Sequence, residues 1–78
     1  MSMSMEKLRE SKFSEFVDSC ERMGGKPRKV TEHLMFCDVN GFRVEFALHR
    51  DSIYGNFIIT KDGRRLGVSF DQRTLTII

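Results

Sequence analysis

Seven consecutive residues, Phe42-Arg43-Val44-Glu45-Phe46-Ala47-Leu48, alternate between large apolar side chains and polar or small ones without a break. Successive side chains of a strand point to opposite faces, so this period of two specifies a β-strand with one buried face. Asn40-Gly41 stands immediately before it, a dipeptide strongly associated with tight hairpins because both residues tolerate positive φ. A strand needs a partner, and Leu34-Met35-Phe36-Cys37 on the far side of the turn supplies one. The chain is therefore organised around an antiparallel hairpin whose apolar face the remaining residues must cover.

Two registers compete for that hairpin. A two-residue turn at Asn40-Gly41 would set Met35 and Cys37 beside Phe46 and Val44. A three-residue loop, with Val39-Asn40 in a type I turn and Gly41 as a left-handed bulge, would set Leu34 opposite Phe46 and Phe36 opposite Val44. A slip of one residue exchanges the two faces of a strand, so the choice decides which side chains are buried. The three-residue loop buries the larger set and places Asp38 where its carboxylate accepts a backbone hydrogen bond. It is the register favoured, and it sends Cys37 outward.

Upstream, Met5, Leu8, Phe13, Phe16, Val17, Cys20 and Met23 fall on one half of a helix at about 100° per residue. Ser4 is the expected N-cap, Glu6 suits the positive end of the helix dipole, and Gly24-Gly25 followed by Pro27 ends the helix. The predicted helix runs over 5–23. Strands are predicted at 30–37, 42–49, 53–61, 64–70 and 74–78. Leu48 is placed opposite Ile53, a two-residue turn at Asp62-Gly63 places Ile59 opposite Leu66 and Phe57 opposite Val68, and Leu75 and Ile77 return opposite Phe70 and Val68. The fold class that follows is α+β: an N-terminal amphipathic helix packed on a five-stranded antiparallel meander sheet, open or partly curled into a barrel.

With 78 residues the chain makes a single domain, 1–78, whose small core is marginally stabilising. A hydrophobic fraction of 40% beside 31% charged residues describes a folded chain and not a disordered one. Apolar runs of only a few residues exclude a membrane-spanning helix. The opening Met1-Ser2-Met3-Ser4-Met5 has no cationic flank and apolar run of a secretory leader, so two Cys read as free thiols in a reducing cytoplasm.

Chemistry would have to lie on the sheet face away from the helix. In the favoured register that face carries a semi-apolar patch of Met35, Ala47, Tyr54 and Ile58 with a charged rim, the composition of a protein contact surface. Lys26, Arg28, Lys29, Arg43, Arg64 and Arg65 could instead track a nucleic-acid backbone beside Tyr54, but a net charge of +2 and the interspersed carboxylates weigh against it. A metal centre would need Cys20, His33, Cys37 and His49 to converge, and their spacing lacks the close ligand pairs of zinc sites. His33, Glu45 and His49 are the candidates for acid–base work, with no pocket or glycine-rich cradle beside them. No catalytic residue, metal or cofactor is assigned.

Cys20-x-x-x-Gly24-Gly25, Cys37-x-x-x-Gly41 and Glu45-Phe46-Ala47-Leu48-His49-Arg50 together resemble the pattern of a small bacterial secreted domain that often carries a hemolysin label. The resemblance covers less than half of the chain. It departs in having Phe46 where that pattern has Trp, in a shorter span between Gly25 and Cys37, and in showing no secretory leader. It implies a Cys20–Cys37 disulfide and no known activity.

The functional expectation is a small non-enzymatic protein-binding or regulatory module, cytoplasmic and self-associating as a homodimer, with no membrane partner. A nucleic-acid-binding module using the basic loops and the outer sheet face is the alternative.

Overall fold

The computed structural model describes residues 4–69 and 76–77. It begins with helix α1 (Met5–Arg22), capped by the Ser4 hydroxyl, which accepts from the Lys7 backbone N–H at 3.2 Å. At the other end Gly24 takes φ +79°, the Gly24 N–H donates to the Glu21 carbonyl and the Gly25 N–H to the Cys20 carbonyl. This paired closure is a Schellman motif, and glycine is the residue that adopts its left-handed position without steric cost. The helix bounds read from the sequence thus agree to within a residue.

Six strands follow in one antiparallel sheet with sequential neighbours: β1 (Lys26–Thr31), β2 (Leu34–Val39), β3 (Phe42–Leu48), β4 (Gly55–Lys61), β5 (Arg64–Ser69) and β6 (Thr76–Ile77). The α+β class, one N-terminal helix on an open antiparallel meander, is as the sequence predicts. The segment expected as one strand over 30–37 is instead divided. Lys26–Thr31 forms an additional edge strand, Glu32 and His33 turn the chain, and β2 begins at Leu34. Pro27 is tolerated in β1 because an edge strand has one row of backbone groups without a partner.

The hairpin register differs from the one favoured above. Val39 pairs with Phe42, Cys37 with Val44 and Met35 with Phe46, while Asn40 and Gly41 have φ of 50° and 80°. These are the dihedrals of a two-residue type I′ turn, whose twist matches that of the flanking strands. Met35 and Cys37 therefore face the helix, and Leu34 and Phe36 face away. Apolar alternation alone could not make this choice, because both sets are apolar. Contact with α1 makes it: Cys20 and Cys37 are joined by a disulfide across 17 residues.

Two further register corrections lie in β4 and β5. Leu48 stands opposite Gly55, and Ile53 belongs to the preceding loop. Asp62-Gly63 forms the expected two-residue turn, with Lys61 opposite Arg64. A bulge then intervenes, for Thr60 pairs with Arg65 but Ile59 with Gly67. Leu66 is the extra residue, so Val68 stands opposite Ile58 on the face away from the helix. Phe70 and Leu75, expected in the core, lie outside the described residues.

The core comprises Phe16, Cys20, Met35, Cys37, Phe46 and Leu48, with Phe13, Val17, Val39, Val44 and Phe57 packed around it. Phe46 stacks on Phe57 with ring centroids 4.7 Å apart and meets Phe16 at 5.3 Å and Phe13 edge-on at 5.5 Å. Cys20 and Cys37 are 1% and 0% exposed. Beside them Gly25 leaves no room for a side chain: an added Cβ would lie 2.7 Å from the Cys37 sulfur and 2.9 Å from that of Cys20. Gly25→Ala is expected to cost about 1–3 kcal/mol of stability through overpacking. In a chain with both cysteines replaced by Ala, the same substitution should cost clearly less. Urea midpoints of the four proteins complete this cycle, and equal costs in both backgrounds would mean that the sulfurs are not what confines Gly25.

Candidate contact surface

The sheet face away from α1 is organised in three cross-strand rows. The central one runs Arg28, Phe36, Glu45, Ile58 and Val68 across β1 to β5. On one side lies Leu34, Ala47 and Asn56, and on the other Lys26, Asp38, Arg43, Thr60 and Arg65. Phe36, Ile58, Val68, Leu34 and Ala47 are all only partly buried. Among the described residues no second layer covers them.

Charge is threaded through this apolar row. Arg43 donates from Nε to Asp38 Oδ1 at 2.8 Å and from Nη2 to Oδ2 at 3.4 Å. The hydrogen bond from Arg43 is the main cause holding the Asp38 carboxyl below its ordinary range, against a smaller opposing effect of desolvation. Because the folded value is depressed, the contribution of this pair is present at neutral pH and is lost as the pH falls through the lowered range. Both side chains are more than 40% exposed, so the pair orients the guanidinium more than it stabilises the fold. The Arg43 guanidinium lies 4.6 Å from the centre of the Phe36 ring and that of Arg28 lies 5.4 Å from it, both within cation–π range.

The residues proposed from sequence are redistributed by the register. Ala47 and Ile58 are on the open face as expected, whereas Met35 is 6% exposed beneath the helix. Tyr54 is 73% exposed in the loop before β4. In place of Met35 the surface gains Leu34, Phe36 and Val68, which the sequence reading had assigned to the core. Two signals pointed to them: Asn40-Gly41, the dipeptide that suits a type I′ turn, and Gly67, since a glycine inside a strand often marks a bulge.

The basic set does not form one surface. Lys26, Arg28, Arg43 and Arg65 share the open face by register, while Lys29 and Arg64 fall on the helix side. Lys29 lies over the Phe13 ring at 5.9 Å. The acid–base candidates are also dispersed. Glu45 stands in the middle of the open face, His33 lies in the β1–β2 turn and His49 follows β3. His33 Nδ1 is 2.8 Å from the Arg9 guanidinium. Among the described residues no three His, Cys, Asp or Glu side chains gather as metal ligands, and none of the described helices is long and apolar enough to cross a membrane.

An open trough of about 420 Å³ between the Asn40-Gly41 and Asp62-Gly63 turns is lined by Asp38, Arg43, Thr60 and Asp62 among others. Among the described residues its lining includes no imidazole or thiol that could activate a nucleophile. No family model, no curated protein and no solved structure matches the chain.

Proposed function

We propose that this chain is a small non-enzymatic protein-contact module that associates with a second copy through the open sheet face. The observation that carries the reading is the row of Phe36, Ile58 and Val68, left uncovered among the described residues, flanked by Leu34 and Ala47 and set among charges of both signs. Apolar side chains with a charged rim are the composition of contact surfaces. Mixed charge favours a partner that also carries both signs, and a second copy of the same face does so. A polyanion would instead meet Glu45 and Asp38 among the arginines, and two guanidiniums already lie over the Phe36 ring on which a base would stack.

Five strands about 4.8 Å apart present roughly 400–500 Å² of sheet, below the approximately 800 Å² per partner of a standard interface. The dimer is therefore expected to be weak and to dissociate on dilution. Sedimentation equilibrium over a wide concentration range should show the dimer, and Ile58→Arg should give a monomer with an unchanged far-ultraviolet spectrum. A wild-type monomer at the highest concentrations would overturn the reading. Oligonucleotide binding that falls steeply with salt and is lost on Arg28→Glu would favour the nucleic-acid alternative.

The expectation of a cytoplasmic protein carried with it two free thiols, whereas both sulfurs are engaged in the Cys20–Cys37 bond. A buried structural disulfide supports work in an oxidising compartment. Alkylation and mass measurement of protein recovered from its own cells tests this: two blocked sulfurs are expected, and two reactive thiols would return it to a reducing environment.

A further inference from the structure

β1 is one margin of the sheet, and among the described residues no strand lies beyond it. The direction of its backbone groups follows from the hairpin beside it. The Leu48 N–H donates to the His33 carbonyl, and hydrogen-bonded pairs alternate along an antiparallel ladder, so Met35, Cys37 and Val39 aim their backbone groups at β3. Leu34, Phe36 and Asp38 aim theirs at β1. Arg28 and Lys26, which stand opposite Phe36 and Asp38, complete that ladder, and Pro27 and Lys29 turn their groups outward. Proline has no N–H, so the outward row comprises the Pro27 carbonyl and both backbone groups of Lys29. Beyond Lys29 the pairing is irregular at Val30. All residues of β1 except Pro27 are exposed.

We propose that this margin takes up an extended acidic segment of another protein as a further antiparallel strand, with carboxylates set against Lys26, Arg28 and Lys29. Outward backbone groups supply the hydrogen bonds of strand addition, and the side chains beside them select the strand that is added. Here the selection is by charge. Lys-Pro-Arg-Lys-Val-Thr holds three cations and no carboxylate. Lys26 and Arg28 stand on the open face and Lys29 on the helix side, over the Phe13 ring, so a strand laid beside β1 meets a cation on each of its faces. The residue beside Lys29 exchanges both backbone hydrogen bonds with it. Read in its own direction, the added strand carries an apolar residue beside Val30, which is 44% exposed, then carboxylates beside Lys29 and Arg28. Any residue suits the place beside Pro27, and a third carboxylate lies beside Lys26.

A second copy of this chain does not fit the margin. Antiparallel pairing of β1 with itself requires outward residues to meet outward residues, which leaves three registers of Pro27 and Lys29. Pro27 opposite Pro27 sets Lys26 against Arg28, Pro27 opposite Lys29 sets Arg28 against Arg28, and Lys29 opposite Lys29 brings two ammonium groups together. Like charges directly opposite one another are destabilising. The same three cations that block self-pairing thus leave the margin to a chain of opposite sign. Strand addition here does not require association through the open face.

Titration of the whole chain with the end-blocked peptide Thr-Val-Glu-Glu-Thr-Glu-Val-Thr, followed by nuclear magnetic resonance, tests the assignment. Amide shifts should concentrate in residues 26–31, and the Lys29 amide should exchange more slowly with solvent in the complex. N-methylation of the peptide's first Glu removes the donor to the Lys29 carbonyl and should weaken binding about 5- to 10-fold, the size of one hydrogen bond. Joint Lys26→Glu, Arg28→Glu and Lys29→Glu should abolish binding of this peptide and confer binding of its counterpart with Lys at the three Glu positions, a gain that an unfolded variant could not show. Unshifted amides in 26–31 at millimolar peptide, an N-methylated peptide that binds within about 2-fold of its parent, or a charge-reversed variant that still binds the acidic peptide would overturn the proposal. So would a single-stranded oligothymidylate that shifts the same amides at lower concentration than the peptide does, which would make the margin a nucleic-acid surface.

Discussion

Replacing Phe46 by Ala is expected to remove about 3–5 kcal/mol of stability, the cost of deleting a buried aromatic side chain and leaving a cavity. Phe46 is 2% exposed and touches the three rings that join helix to sheet, Phe13 and Phe16 from α1 and Phe57 from β4. Its loss removes transfer free energy and also aromatic contacts of about 0.5–1.5 kcal/mol each. Folded domains have about 5–15 kcal/mol to lose, and small ones lie near the bottom of that range. The variant should therefore be largely unfolded, or compact without fixed packing, at 37 °C. Urea unfolding with the disulfide intact measures the effect, and Phe57→Ala, at a partly exposed ring, should cost less. A loss below about 1 kcal/mol for Phe46→Ala would show that the helix is not seated on this strand.

Joint replacement of Cys20 and Cys37 by Ala should cost about 3 kcal/mol, the loop-closure value for a bridge spanning 17 residues. For a domain of this size that corresponds to a Tm lower by about 12–24 °C. Alanine is the appropriate replacement because a hydroxyl at either buried position would lack the water it needs. The bond pins the C-terminal end of α1 to the middle of β2, and the two positions have Cα atoms 5.8 Å apart. Thermal unfolding followed by circular dichroism measures the shift, and a Tm within a few degrees of wild type would show that ring packing alone positions the helix. Reduction of the native protein should be slow and should track unfolding, because both sulfurs are shielded from solvent.

These two features also explain where a reading of residues succeeded and where it could not. Ser4, the apolar stripe through Phe16 and Gly24 define a helix by local rules, since capping, 3.6-residue periodicity and left-handed closure all act within a few residues. Asp62-Gly63 likewise specifies its turn locally. Leu34 and Phe36 were misplaced because Met35 and Cys37 form an equally apolar set one residue out of step, and alternation carries no information on which set is buried. Val68 was misplaced because the bulge at Leu66 reverses the parity of β5 after a correctly placed turn. The implied Cys20–Cys37 pairing, by contrast, agrees with the structure.

The consequence falls on the candidate surface. Ala47 and Ile58 were recognisable because β3 and β4 keep their alternation. The apolar strength of the face comes from Leu34, Phe36 and Val68, the three residues whose side depends on contacts beyond their own strand. Arg9, whose guanidinium reaches the His49 carbonyl and His33 Nδ1, stands on the polar part of the helix pattern and carries no local mark of that role.

By itself the chain of residues determined one N-terminal helix, an antiparallel meander and its turns at Asn40-Gly41 and Asp62-Gly63, because those properties arise from interactions among near neighbours. The tertiary structure decided which side of each strand meets the helix. That choice is a matter of parity, and it is made by the Cys20–Cys37 bond and by Phe13 and Phe16 seated on Phe46, contacts between residues 17 to 33 positions apart.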